Sequence, residues 1–272
     1  MQTTVARTTQ TTQRPSLHLG RWAALSVLGV VAAGAGATAL AYLREIQATY
    51  DRLLAGSQLV ETRHGPVEYS TWGNGPAVLV VHGAGGGYDQ GALIAQAYGG
   101  EGFGWVAPSR FGYLRSALPA DPSTAAQAEA FAELLDALGV ERVAILAMSG
   151  GAPPALQFAE HYPERTSALV LLSSAPYTPL TAGEQKLPAP VWLYQTLFRS
   201  NFPLWLIQKI APHRLDRLFD VTPALRAGLS AQEQAMLSRM AELFQPVTWR
   251  SNGLRNEGAA IDPQACYRLA AI

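Results

Sequence analysis

The chain is short of charge, of cysteine and of any basic cluster. Only 15% of its 272 residues are charged, well under the usual quarter. Lysine plus arginine and aspartate plus glutamate balance at 20 each, and no Lys/Arg run disturbs that balance. A neutral chain of this kind has no electrostatic reason to seek nucleic acid. The single cysteine, Cys266, cannot close an internal disulfide and leaves the redox compartment open. It reads as a small buried hydrophobe, and with no histidine after it there is no partner for a nucleophilic role. The five histidines and the acids show no ligand spacing, so neither a metal nor a cofactor is implied. No internal repeat is visible.

Apolar residues are plentiful. At 49% of the chain they suffice for a core, and the length suits one domain plus an insertion. Residues 1–21 are rich in Thr and Gln with three arginines, which predicts a disordered tail. Trp22 to Leu43 then run without one charge. As a helix they would rise about 33 Å, enough to cross a bilayer. Trp22 and Tyr42 stand near the two ends, where interfacial aromatics belong. Three readings stay open for this stretch. It is a retained single-pass anchor, a signal segment cleaved near the small residues Ala37-Thr38-Ala39, or a buried helix of a soluble protein. The arginines ahead of the span favour an N-terminus inside and a body on the extracytoplasmic side.

Residues 44–58 read as a linking helix. From there strands and helices alternate. Val67–Trp72, Ala77–Val81, Gly104–Pro108, Arg142–Ala147 and Ser167–Leu172 are expected strands, and Ala125–Leu138 and Gly150–Tyr162 expected helices. This order predicts an α/β fold with a doubly wound, mostly parallel sheet. The expected core covers 59–176. Residues 177–256, rich in Leu, Trp, Phe and Arg, carry helical stretches near 190–200, 203–219, 222–228 and 230–244 and no strand, and are expected to form a helical cap. Residues 257–272 would begin a return to the core.

The strongest local signal is Ala147-Met148-Ser149-Gly150-Gly151, between an expected buried strand and an expected helix. A serine there is forced into a sharp turn, with small neighbours letting strand and helix pass closely. Its hydroxyl would project at the C-terminal edge of the sheet, where open α/β folds bind ligands. The second signal is His82-Gly83-Ala84-Gly85-Gly86-Gly87, directly after a buried strand. Such a loop can turn backbone amides toward a developing oxyanion. Ala84 or Gly85, with Gly150, are the candidate donors, and His82 and Gly83 would support the loop. The alternative of phosphate binding lacks a P-loop lysine or a dinucleotide fingerprint.

Together with Ser109-Arg110-Phe111-Gly112-Tyr113, these motifs resemble the α/β-hydrolase superfamily, in its capped branch with a serine nucleophile. Gly85-Gly86-Gly87-Tyr88-Asp89-Gln90-Gly91 resembles a variant of its loop. Ala147, where the family has glycine, is a mild departure. The resemblance spans roughly 60–272. It implies an eight-stranded type of sheet and hydrolysis of an ester or related bond through an acyl-enzyme on Ser149, with a small-molecule ester or acyl substrate. Trp192, Tyr194, Phe198, Trp205 and Phe219 would either line an acyl pocket or pack the cap. Serine disfavours the dehalogenase and epoxide hydrolase chemistries, which in this family use an aspartate there. The family orders its triad serine, acid, histidine. His18, His64, His82, His161 and His213 all fall outside the expected position. Acid and histidine are thus expected beyond residue 272, and the chain is expected to be truncated at its C-terminus, with weak or no activity. The competing reading is a non-catalytic binding protein of the same fold, attached to a membrane through residues 22–43.

Overall fold

The computed structural model describes residues 17–174, 196, 198–260, 267, 268, 270 and 272. Met1–Glu45 and Ile46–Ile272 are two separate compact units. Helix α1 runs from Leu17 to Ala55. It begins inside the expected tail and continues through the boundary expected at 44, because no proline or glycine interrupts 37–55. Gly56 follows its end, and the Gly56 amide closes on Arg52 O at 3.0 Å. By length and composition α1 can cross a membrane.

Six strands form one mixed sheet among the described residues, in the order β1-β2-β4-β3-β5-β6. They are β1 (Gln58–Thr62), β2 (Gly65–Gly73), β3 (Ala77–Val81), β4 (Gly104–Pro108), β5 (Val143–Met148) and β6 (Thr166–Leu172). β1 and β2 are antiparallel additions at one edge, and β4, β3, β5 and β6 are parallel. The expected parallel sheet is therefore present with an antiparallel edge. β1 was not expected; its first residue, Gln58, closes the stretch read as a linking helix, and the rest lie at the start of the expected core, where no strand was read before Val67.

Each face of the sheet is covered, which is why the central strands read as unbroken apolar runs. Leu79, Val81, Ile145 and Ala147 pack under α3 (Thr124–Ala137) and α4 (Ala152–His161). Val78, Val80, Ala107 and Leu146 face Leu53 of α1 and α2 (Tyr88–Tyr98), a helix not foreseen from sequence. Ser123 caps α3 by accepting the Ala126 amide at 3.2 Å.

Beyond β6 the described residues are helical. They comprise α5 (Asn201–Ile210), a 3-10 stretch (Pro212–Phe219), α6 (Pro223–Gly228), α7 (Ala231–Glu242) and α8 (Ser251–Ala260). The helix expected near 190–200 lies mostly outside the described residues. Leu204, Leu215 and Val247 form a small core of their own with Phe198 and Phe244 against it.

Buried ion pairs stitch distant segments of the fold together. Glu68 of β2, fully buried, accepts from Ser57 Oγ (2.7 Å), Ser109 Oγ (2.8 Å) and Arg115 Nε (2.7 Å). Asp89 at the start of α2 receives both terminal nitrogens of fully buried Arg250, at 3.1 and 2.8 Å. Arg250 also donates to Gln245 O at 3.1 Å, fastening the chain ahead of α8 to the glycine loop's helix.

Candidate active site

β5 ends at Met148, and Ser149 follows in a left-handed conformation at φ 48°. A non-glycine residue there is strained and persists only where its surroundings fix it. The fixing is done by close packing on all sides. A short 3-10 turn, Ser149–Gly151, leads directly into α4, whose first turn carries Pro153 and Pro154. A Cβ on Gly151 would stand 2.6 Å from Val81 O and 2.7 Å from His82 O. A Cβ on Gly83 would stand 3.3 Å from both Met148 O and the Ser149 side chain. The Ser149 turn and the glycine loop thus touch backbone to backbone. Ala147, paired in register with Val81 and Leu171, is fully buried, and its methyl fits among α3 and α4 residues.

His82 lies under the loop, fully buried. Its Nε2 is 2.9 Å from the Arg110 amide, which can only donate, so Nε2 is the acceptor. Nδ1 therefore bears the proton and donates to Gly83 O at 2.7 Å. Burial, and then the charge of Arg110, hold this imidazole well below its ordinary pKa. Both ring nitrogens are engaged, so His82 positions the loop and has no free nitrogen to act as a base.

Gln90 of α2 completes the support: its Oε1 accepts the Gly83 amide at 2.9 Å. The Gly85 amide donates to Tyr113 Oη at 3.3 Å, and the Phe244 ring covers Gly85, so that a Cβ there would stand 2.8 Å from Cζ. Of the two candidates, Gly85 is thereby committed elsewhere. Ala84 N remains, 3.6 Å from where a Gly150 Cβ would be. As the second residue of its turn, Gly150 has no intrahelical partner for its own amide.

Three neighbours were not foreseen from sequence as site residues: Arg110, Tyr113 and Glu257. Arg110 donates to Gly150 O and Gly83 O, each at 3.0 Å, and pairs with Glu257 of α8. The Glu257 carboxylate lies against Gly150, 2.6 Å from where its Cβ would be. Burial, followed by that carboxylate, drives the Tyr113 phenol well above its ordinary pKa. These residues line a cleft of about 30 Å³ with Gln127, Pro153 and Asn256, room for about two waters. Arg110 Nε and Gln127 Nε2 are buried there without an acceptor among the described residues.

Apart from His82, no histidine of the body makes a hydrogen bond to the residues around Ser149 among the described residues. His64 meets Glu129 at 3.1 Å, His161 ends α4, His213 is exposed in the 3-10 stretch, and His18 lies in α1. No hydrogen bond reaches Ser149 Oγ from the described residues. Of the expected acyl-pocket aromatics, Trp205 is buried and Phe219 packs edge-on to Phe244 at 5.7 Å. Phe198 joins the small core, and Trp192 and Tyr194 lie outside the described residues.

Residues 76–247, more than half of the chain, match the model of the alpha/beta hydrolase fold. The chain belongs to the alpha/beta hydrolase fold family. An uncharacterised hydrolase of Bacillus subtilis, YcgS, is 34% identical over 165 residues, covering 54% of this chain and 56% of that one. An uncharacterised protein of Mycobacterium tuberculosis is 37% identical over 111 residues, covering 39% of this chain and 31% of that one. This chain thus spans a little over half and about a third of the lengths of these two relatives. Among solved structures, an alpha/beta hydrolase fold protein from Nakamurella multipartita superposes with a TM-score of 0.56 at 27% identity, over 75% of this chain and 73% of that one.

Proposed function

We propose that this alpha/beta hydrolase cleaves a carboxylic ester through an acyl-enzyme on Ser149. One observation carries the reading: a serine held at φ 48° at the end of a central strand, beside the amides of Ala84 and Gly150, which have no hydrogen-bond acceptor among the described residues. Ser149 Oγ attacks the ester carbonyl, and the C=O electrons move onto oxygen. The Ala84 and Gly150 N–H groups bind that oxyanion as the charge develops. The C–O bond to the alcohol then breaks, the alcohol leaves with a proton, and water releases the acid and restores Oγ. His82 and Gln90 hold the loop so that Ala84 N–H need not reorganise.

The step that remains is removal of the Ser149 proton. Serine without a base is a poor nucleophile. No described histidine reaches it, so in this reading the base comes from outside the described residues. The same observation supports a second reading, in which the pocket binds an acyl ligand without turnover. We also place the protein at a membrane through residues 22–43, with the body on the extracytoplasmic side. Secretion after cleavage near residues 37–39 is the alternative.

Hydrolysis of short p-nitrophenyl esters by the full chain, against Ser149→Ala, separates these readings. Turnover lost in the variant supports the esterase. Saturable ligand binding without turnover, unchanged in Ser149→Ala, supports the binding protein.

A further inference from the structure

The peptide that carries the Ala84 N–H also carries the Gly83 carbonyl. In a trans peptide the two point to opposite sides, so whatever fixes the carbonyl aims the N–H. Gly83 O accepts from His82 Nδ1 at 2.7 Å, from Arg110 Nη2 at 3.0 Å and from the Gly86 amide at 3.3 Å. His82 and Gly86 belong to the same loop and would move with it. Arg110 comes from another element, the turn that follows β4. Ala84 itself is the exposed residue in a loop otherwise buried from His82 to Gln90.

Arg110 reaches the second half of the site as well, since its Nη1 donates to Gly150 O at 3.0 Å. One planar guanidinium thus spans the glycine loop and the Ser149 turn. Its rigid fork fixes both distance and direction, which an ammonium on a flexible stem would not. The Gly150 amide is held from its own side, because Ser149 O accepts the Ala152 amide within the 3-10 turn.

The guanidinium is immobilised in turn. Arg110 is 6% exposed, with its Cζ 5.1 Å from the centroid of the Tyr113 ring. Glu257 of α8 pairs with it. One helical turn before Glu257, the Gly253 amide donates to Gly112 O at 2.9 Å. The same face of α8 therefore meets the Ser109–Tyr113 turn at two points. A buried ion pair adds little stability over apolar side chains of the same volume. Apolar side chains, however, could not hold two carbonyls.

We propose that Arg110 is a positioning residue for the reaction at Ser149: it sets the spacing of the glycine loop and the Ser149 turn and aims the Ala84 N–H at the oxyanion, with Glu257 holding it in place. This rests on the esterase reading given above. Arg110 touches no reacting atom and acts through the Gly83–Ala84 peptide. The cation and its carboxylate partner offset one another, so the contribution is orientation rather than net charge.

The test is the kinetics with which a fluorophosphonate inactivates the full chain. Ser149 Oγ displaces fluoride from phosphorus, and the phosphoryl oxygen takes the place of the ester oxyanion. Saturation kinetics separate kinact from the binding constant KI. The main variant is Arg110→Met with Glu257→Gln, which removes cation and anion together and strands neither. Its urea midpoint should stay near that of the parent. Its kinact should fall about ten- to a hundredfold, as misplacement by about 1 Å does, with KI little changed. Arg110→Lys keeps the charge beside Glu257 without the fork, and should lose a smaller part of kinact. A double variant that reacts at the parent's kinact overturns the proposal. So does a rate that falls through KI alone, or only in proportion to the unfolded fraction. If the double variant does not fold, Arg110→Lys decides: a reduced kinact at the parent's KI supports the proposal, and the parent's kinact overturns it. A parent that takes no adduct overturns the esterase reading itself, and the proposal with it.

Discussion

Ser149 keeps its conformation because two glycines leave room for backbone where side chains would collide. Gly151 shows the constraint most sharply, since a Cβ there would press on two carbonyl oxygens that cannot swing away. Gly151→Ala is expected to destabilise the fold by about 1–3 kcal/mol, as overpacking does, and to abolish any reactivity at Ser149. Urea unfolding and labelling of the same sample check both parts. His82 gives a pH dependence with a definite sign. Above its ordinary value of 6.5 the ring is neutral both folded and unfolded. Below that, only the unfolded chain takes the proton, so stability falls on acidification by up to about 1.4 kcal/mol per pH unit. His82→Gln should be less stable at neutral pH but lose that share of the slope, measured as urea midpoints from pH 6.5 downward. At this scale the sequence was informative wherever chemistry is local. The turn at Ser149 and the loop at His82 follow from residues within a few positions. Glu257 and Phe244 gave no sign, because they reach Gly150 and Gly85 from more than 100 residues away along the chain.

Among the elements, the long-period and alternating patterns were legible, and boundaries set by tertiary contacts were not. β3 and β5 stand where their apolar runs put them. β1 escaped because five residues, half exposed, carry little pattern; it exists as the antiparallel partner of β2. α2 escaped because its start is glycine-rich and its hold comes from afar. Asp89 in its first turn is clasped by Arg250, 161 residues later. That clasp is testable. Arg250→Met leaves the buried Asp89 carboxylate with the Gln90 amide at 3.0 Å and, as a cation, the more distant Arg52 at 3.6 Å. Loss of about 3–5 kcal/mol is expected, as for other buried pairs broken on one side. Asp89→Asn combined with Arg250→Met should recover part of it. Equal stability of the single variant and the parent would show the pair to be dispensable.

For the whole molecule, the parallel strands of a mixed sheet covered on both faces place the turn after β5 at their C-terminal edge, and the loop after β3 lies beside it. That geometry is shared across the alpha/beta hydrolase family, and it is why the fold could be read from three short motifs. The chemistry was less legible, because no local pattern around Ser149 says which group would take its proton. The proposed anchoring is tested at this scale too. The full chain should float with phosphatidylcholine vesicles and resist extraction by carbonate, whereas a chain with charges introduced as Val27→Lys and Val31→Lys should stay in the soluble fraction. The most direct test of the central claim is prolonged incubation of the full chain with a fluorophosphonate, followed by mass mapping, in parallel with Ser149→Ala. The account predicts a slow single adduct on Ser149, absent from the variant. A folded protein that takes no adduct, or one that is modified equally in Ser149→Ala, would contradict it.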